Sequence, residues 1–275
     1  MSESRGVIYY NIGLKMLVRL SCSINSLRRI YSGNVSILAD EIGYPECKVI
    51  GNHFGVDVVK VNLTKDKKNA ALLNKCLLHT VTPYDISIFI DSDTIVYKPF
   101  FELFDLAKIH GFVTTSFSNW TTKRGTIYRR IKAWRELLPN YMDNAMKEAP
   151  AINTGTFAFR KDSTLMKDWY DVAVQRYDSY IPDETACQVI LHRYPNLVVS
   201  KNYNTSCKYD SPLTDEKKIL HFHGRKHCRI NHKGEYEYNS NLWFDEFRKI
   251  MNLDFVRTYT QHDPQLRRYI QRWQG

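Results

Sequence analysis

The sequence predicts an α/β fold, a mostly parallel mixed sheet with helices flanking it. Three observations carry the prediction. Apolar, β-branched segments alternate with segments of helical periodicity along the 275 residues, the pattern that successive βαβ units leave. One of the apolar runs, Ile86-Ser87-Ile88-Phe89-Ile90, reads as a strand covered on both faces. No repeat, low-complexity run or obvious linker interrupts the chain, so a single domain over residues 1–275 is expected.

Taken in order, residues 7–11 read as the first strand, ending at Asn11-Ile12-Gly13. A helix follows over 14–31, with Leu17, Leu20, Ile24, Leu27 and Tyr31 at helical spacing. Ser32-Gly33-Asn34 turns the chain into a second strand over 35–39, which ends at Asp40; a third strand covers 56–61. Residues 69–80 read as one helix with Leu72, Leu73, Cys76 and Leu77 on one side, and Pro83-Tyr84-Asp85 leads into the strand before Asp91. Another strand is expected over 112–117. Residues 119–150 break the alternation. Trp120, Lys123, Arg124, Arg129, Arg130, Lys132, Trp134 and Arg135 make a basic, aromatic helical segment there, either a solvated helix face or a lid. Strands are expected again over 155–159, 196–201 and 218–222, and helices over 166–177, 183–192 and 244–251. Residues 266–273 form a basic amphipathic tail, which packs on the domain or makes a peripheral contact with an anionic membrane.

Hydrophobic residues make up 43% and charged residues 25% of the chain, enough for a sizeable core. No apolar run approaches the roughly 18 residues of a membrane helix. Glu3 near the start, with no apolar stretch behind it, argues against a secretory leader. Cys22, Cys47, Cys76, Cys187, Cys207 and Cys228 form no Cys-x-x-Cys pair. They are expected to be free, buried thiols of a reducing compartment, which makes the Asn-x-Ser/Thr matches at Asn34, Asn62, Asn119 and Asn204 coincidental. The net charge of +10 suits a basic surface, an anionic small ligand or an acidic membrane face. No nucleic-acid-binding motif accompanies it, so no nucleic-acid partner is expected.

Four segments carry chemistry. Ligands of open parallel sheets bind beyond the carboxyl ends of the strands. Asp91 and Asp93 stand two apart at such an end and are expected to share a strand face and project together. Carboxylates that close repel unless a cation lies between them, and a hard divalent ion that also binds diphosphate resolves the conflict. An isolated Asp-x-Asp is commonly a solvated turn; the buried strand in front sets this one apart. The second segment, Asn153-Thr154-Gly155, places neutral donors and acceptors suited to sugar hydroxyls just before an apolar strand, with a glycine that admits close backbone approach. The third, Pro182-Asp183-Glu184, is an ordinary acidic helix start, or an acid able to orient an acceptor hydroxyl or take its proton. The fourth, His221-Phe222-His223-Gly224-Arg225-Lys226, sets two imidazoles at a strand end beside cations that can hold phosphate.

Together these segments resemble the nucleotide-sugar glycosyltransferases of the GT-A fold, with the motif layout of the glycogenin-like family (family 8-like). That family has an Asp-x-Asp after an apolar strand, here Asp91-Ser92-Asp93. A cation precedes the first Asp by 16 residues, which falls on Lys75. An Asn-Ser/Ala-Gly segment is matched by Asn153-Thr154-Gly155, an Asp-Gln pair by Asp183-Glu184, and a His-Phe-x-Gly end followed by a lysine by His221-Phe222-His223-Gly224 and Lys226. Order and spacing agree over about residues 5–230. Three departures stand out. The family's Gln is Glu184, its lysine lies one position later than Lys226, and the first strand ends Tyr9-Tyr10-Asn11 without the usual Thr.

The resemblance implies a GT-A (Rossmann-like) fold with a nucleotide-binding half over 1–118, a helical insertion over 119–150, and a sugar and acceptor half over 151–275. It implies a nucleoside-diphosphate sugar donor, a glycan or glycoconjugate acceptor, and Mn2+ or Mg2+. Asp91, Asp93 and His221 would ligate the ion, with Asp91 bridging to ribose. Lys75 and Lys226 would stabilise the leaving diphosphate. Tyr10 and Asn11 would line the base pocket, and Ser92, His223 and Gly224 would complete the donor site. Asn153, Thr154 and Gly155 would hold the sugar, and Asp183 and Glu184 the reaction itself, with retention or inversion left open. Without an anchor, a cytoplasmic enzyme of a microbe or a large virus is expected. Two other readings compete: a haloacid-dehalogenase-like magnesium phosphatase, whose first motif is also a strand followed by Asp-x-Asp, and a catalytically inactive module that binds sugar nucleotides.

Overall fold

The computed structural model describes residues 3–62, 69–118, 151–207, 214–223, 235, 237 and 239–273. In chain order the elements are β1 (Arg5–Asn11), α1 (Leu17–Arg28), β2 (Val35–Ala39), α2 (Tyr44–Phe54), β3 (Asp57–Lys60), α3 (Ala70–Leu73), α4 (Leu78–Val81), β4 (Ile86–Ile90), β5 (Thr94–Val96), α5 (Glu102–His110), β6 (Phe112–Ser118) and β7 (Ala151–Arg160). Then follow α6 (Thr164–Ala173), α7 (Pro182–Ile190), β8 (Leu197–Val199), β9 (Thr205–Ser206), β10 (Ile219–His221), α8 (Ser240–Ile250), α9 (Asp254–Thr260) and α10 (Pro264–Trp273). Seven strands form one sheet in the order β3-β2-β1-β4-β7-β6-β8, and three form a second in the order β5-β10-β9. The large sheet is mixed. Pairs β1/β2, β2/β3 and β6/β8 are parallel, while β6/β7 is antiparallel. The expected α/β architecture is therefore present.

The described contacts group the chain into two compact units, each drawn from three separated segments. One comprises residues 7–61, 90–100 and 202–275. Residues 7–11 of β1 and all of β2 are covered, as a two-faced parallel sheet requires. The turn after β1 depends on Gly13 at φ +59, a conformation L side chains avoid, with its N–H donating to Asp40 Oδ1 at 2.9 Å. Helix α2 starts with Pro45 in its first turn and stops at left-handed Gly55, φ +63. In α8, Trp243 stacks on Phe247 with ring centroids 5.4 Å apart. The other unit comprises residues 1–6, 62–89 and 101–201. Its core is an aromatic cluster in which Phe157 meets Phe89, Phe112, Phe159 and Trp169 at centroid distances of 5.0–5.7 Å.

Three expectations are corrected. The helix expected over 69–80 is broken into α3, a 3-10 turn at Asn74–Leu77, and α4; the tightened turn is where the polar Asn74 and Lys75 are buried. Asn153-Thr154-Gly155 lies inside β7 rather than before a strand. It is accommodated there by a bulge. Across one step of β6, from Thr114 to Thr115, the partner on β7 changes from Phe157 to Asn153, and such bulges re-aim side chains. Strand β4 ends at Ile90, so Asp91 and Asp93 lie in the turn to β5 and not on a shared strand face. The basic segment expected over 119–150 lies outside the described residues. The sequence reading also passed over α2, α5, α9 and β5. Strand β5 is three residues long and α9 seven, and α2 and α5 carry modest amphipathic contrast.

Candidate functional site

The acidic turn and its surroundings are held by five backbone and hydroxyl contacts. Phe222 N–H donates to the Asp93 carbonyl at 2.9 Å, just beyond the antiparallel pair of His221 with Thr94. On the other side of β10, Cys207 N–H donates to the His221 carbonyl at 3.0 Å. Thr94 Oγ1 donates to the Asp91 carbonyl at 2.8 Å and lies 2.9 Å from Ser23 Oγ of α1, which lies 3.0 Å from Tyr9 Oη. A carbonyl only accepts, so the Thr94 proton is committed to it. Ser23 then donates to Thr94 and Tyr9 donates to Ser23. This buried hydroxyl chain runs from β1 through α1 to the acidic turn.

The geometry places Asp91, Asp93 and His221 together, with one ligand atom from each lying within 4.8 Å of the others. His221 Nε2 is 3.1 Å from Asp93 Oδ1 and 3.7 Å from Asp91 Oδ2. Its Nδ1 lies 2.9 Å from Asn204 Oδ1, and its ring stacks on His223 at 3.8 Å. Burial alone would raise the Asp93 carboxyl. The neighbouring His221 imidazole and its hydrogen bond outweigh burial, and with Arg19 and His223 hold the carboxyl well below the usual carboxylate range. Three potential ligand atoms thus converge. Two carboxylate oxygens and one imidazole nitrogen fit a divalent ion of the Mn2+ or Mg2+ type, with room left for water or substrate oxygens.

A second polar cluster lies at the start of α7. Pro182 occupies the first turn, after Ile181 in the left-handed region at φ +53, a costly conformation for a β-branched residue and one that gathers at functional sites. Asp183 is 1% exposed. Its Oδ2 accepts from Thr154 Oγ1 at 2.9 Å and lies 3.9 Å from Lys75 Nζ, its backbone carbonyl accepts from Trp169 Nε1 at 2.8 Å, and its Oδ1 has no partner among the described residues. Glu184 Oε1 accepts from Asn153 Nδ2 at 2.7 Å, and Asn153 Oδ1 accepts from Gly155 N–H at 2.7 Å. One helix start and one strand bulge therefore bring Lys75, Asn153, Thr154, Asp183 and Glu184 together.

The remaining expected residues fall as follows. Ser92 and Tyr10 are buried. Asn11 is 1% exposed and its Nδ2 donates to the Gly13 carbonyl at 2.8 Å, so it braces the turn after β1. Gly224 and Lys226 lie outside the described residues. Five cysteines, Cys22, Cys47, Cys76, Cys187 and Cys207, are buried and free. Burial, with Asp40 and Glu46 nearby, pushes the Cys47 thiol up to about 12, which marks it as an inert core group. No described helix is long and apolar enough to cross a membrane. Asn204 and Thr94 were not singled out from the sequence. The available signal was their placement, Thr94 directly after Asp-x-Asp and Asn204 directly before a short strand.

No protein-family model matches the sequence, and no curated protein matches it. Solved structures do. The galactosyltransferase LgtC, in complex with donor and acceptor sugar analogs, superposes with a TM-score of 0.63 at 11% identity over 92% of this chain and 99% of its own. The fold is that of the GT-A glycosyltransferases. The bifunctional glycosyltransferase WbbM shares it with a TM-score of 0.66 at 13% identity, covering 96% of this chain and 52% of WbbM. Mouse xyloside xylosyltransferase 1 does so with a TM-score of 0.55 at 13% identity, over 79% of this chain and 96% of its own. An active-site mutant of LgtC with glutamate in place of glutamine matches at a TM-score of 0.57 and 10% identity. In this GT-A chain the Asp-x-Asp follows the fourth strand, and an imidazole joins it. The phosphatase reading placed that motif on the first strand with a later acidic pair, and it is not favoured.

Proposed function

We propose that this protein is a metal-dependent glycosyltransferase that moves a hexose or pentose from a nucleoside-diphosphate sugar, a UDP-sugar foremost, to a hydroxyl of a glycan or related acceptor. The observation that carries the reading is the convergence of Asp91, Asp93 and His221 within 4.8 Å on a GT-A fold. These three would hold Mn2+ or Mg2+, which when bound neutralises charge gathering on the departing diphosphate. The protein's own groups do the rest. Asp183 Oδ1, buried and without a partner among the described residues, is suited to accept from a sugar hydroxyl. Lys75, with its Nζ 3.9 Å from Asp183 Oδ2, adds positive potential. Asn153 orients the Glu184 carboxylate through its amide. In this reading Glu184 would act as base toward an acceptor hydroxyl or as partner of the anomeric carbon.

A nucleotide-sugar panel scored for Mn2+-dependent hydrolysis, with the product anomer read by NMR, tests the reading and settles retention against inversion. Asp93→Asn is expected to abolish turnover and metal-dependent nucleotide binding while leaving the circular dichroism unchanged. Undiminished turnover in that variant removes the metal role. Metal-dependent nucleotide binding by the wild type with no hydrolysis or transfer on any donor leaves the inactive binding module as the better description.

A further inference from the structure

We propose that the hollow at the start of α6 binds a phosphate group. It shares no residue with the two clusters described above, and the proposal does not depend on the metal reading. The hollow has a volume of about 250 Å³ and is lined by Lys108, His110, Gly111, Arg160, Ser163 and Thr164, among others. That size suits a small ligand or one group of a larger one. Strand β7 carries Asn153 near its start and ends at Arg160, which sets Arg160 roughly 20 Å along the strand from Asn153.

Ser163 is the decisive residue. It precedes α6 at φ −55 and ψ 126, the extended backbone of a helix cap, and serine is a favoured cap. Its hydroxyl nevertheless makes no cap bond. The residue is 8% exposed. Its N–H donates to the Arg160 carbonyl at 3.0 Å and its carbonyl accepts from Lys167 N–H at 3.4 Å, while Oγ has no partner among the described residues. A covered hydroxyl left unmet costs stability. This one faces the hollow. A Cβ on Gly111 would stand 4.0 Å from Ser163 Oγ and 3.9 Å from the Pro195 carbonyl, and Gly111, at φ +74, supplies none.

The hollow offers three kinds of donor. The first is the Ser163 hydroxyl. The second is the start of α6, which has no acid in its first turn and so presents uncompensated N–H groups and the positive end of its dipole. The third is Arg160, whose Nε and Nη2 donate to Asp162 at 2.9 and 2.8 Å and whose Nη1 is left for a ligand. Lys108 is shared with Glu3 at 2.7 Å, so charges here are largely balanced and the directed donors define the ligand. A planar carboxylate offers two oxygens. A phosphate group offers three, enough to meet hydroxyl, helix N–H and guanidinium together.

The test titrates the full chain with inorganic phosphate and reads amide proton–nitrogen spectra, with chloride at equal ionic strength as control. Saturable shifts are expected at Thr164, Leu165 and Met166. Shifts confined to other residues, or reproduced by chloride, overturn the proposal. Ser163→Asp places a carboxylate where the ligand would sit and supplies the missing cap. It is expected to melt no lower than wild type and to bind phosphate at least 10-fold more weakly. Asp162→Asn removes the opposing carboxylate and is expected to tighten phosphate by a few-fold. Unchanged affinity in Ser163→Asp, or weaker binding in Asp162→Asn, overturns the proposal. Should Ser163→Asp fail to fold, Ser163→Ala decides: it is expected to lose about 10-fold in affinity, and wild-type affinity in that variant overturns the site.

Discussion

Glu184 is one of the three places where this chain departs from the pattern it otherwise follows. A glutamate in place of glutamine is expensive in a buried cluster unless its charge is met. Here the charge is met by the Asn153 amide at 2.7 Å, with Thr154 N–H at 3.4 Å beside it. A glutamine at 184 could accept the same bonds through its carbonyl oxygen, so Glu184→Gln is expected to fold normally and melt within a few degrees of wild type. If Glu184 takes part in the chemistry, kcat falls by about 100-fold or more, the usual contribution of a positioned acid or base. Steady-state kinetics on the best donor from the panel checks this, and an unchanged kcat would assign Glu184 to packing.

At the scale of the element, α1 shows why the site was only partly legible in the sequence. The Asp-x-Asp after a buried strand, the Asn-Thr-Gly segment, the acidic helix start and the His-x-His end were all visible as local patterns, because each compresses its chemistry into three or four residues. The parts that hold those motifs in place were not visible. Ser21, Ser23 and Ser26 interrupt the apolar periodicity of α1, yet all three are fully buried. Ser26 Oγ accepts from Val96 N–H at 2.9 Å, and Ser23 joins the hydroxyl chain that ends on the Asp91 carbonyl. A contact between residues 71 positions apart leaves no local signal. The same reasoning explains the misplaced Asn153, since a bulge depends on the partner strand. Thr94→Val tests the brace: it keeps shape and removes the hydroxyl. It is expected to cost about 1–3 kcal/mol in urea unfolding, the usual penalty for breaking a buried hydrogen bond, and to loosen Mn2+ binding by freeing the Asp91 carbonyl. Thr94→Ser should restore both. Equal stability of Thr94→Val and wild type would show that the chain carries no load.

For the whole molecule, the order of segments matters more than any one of them. Each compact unit is assembled from three separated stretches, so no single cut of the chain yields either unit intact. Within the unit that carries Asp91, Asp93 and His221, one tie between early and late sequence is the buried pair of Arg19 and Asp263, 2.9 Å apart and 244 residues distant. Their side chains are 4% and 1% exposed. Asp263 serves two masters: Oδ2 accepts from Arg19 Nε, while Oδ1 lies 3.1 Å from Gln265 N–H and 3.3 Å from Leu266 N–H and caps α10. Removing one partner of a buried pair leaves the other charge uncompensated and costs about 3–5 kcal/mol, far more than the pair is worth against an apolar replacement. Asp263→Ala is therefore expected to lower stability by about that amount, through the loss of both the cap and the carboxylate. Asp263→Asn keeps an acceptor for the cap and should fall between Asp263→Ala and wild type. Because α1 also carries Ser23 and Ser26, the Asp263→Ala protein should lose Mn2+ affinity together with stability. Denaturant midpoints and Mn2+ titration on the same samples decide the matter. A destabilised Asp263→Ala protein with wild-type Mn2+ affinity would show that the late helices stabilise the unit without tuning its site.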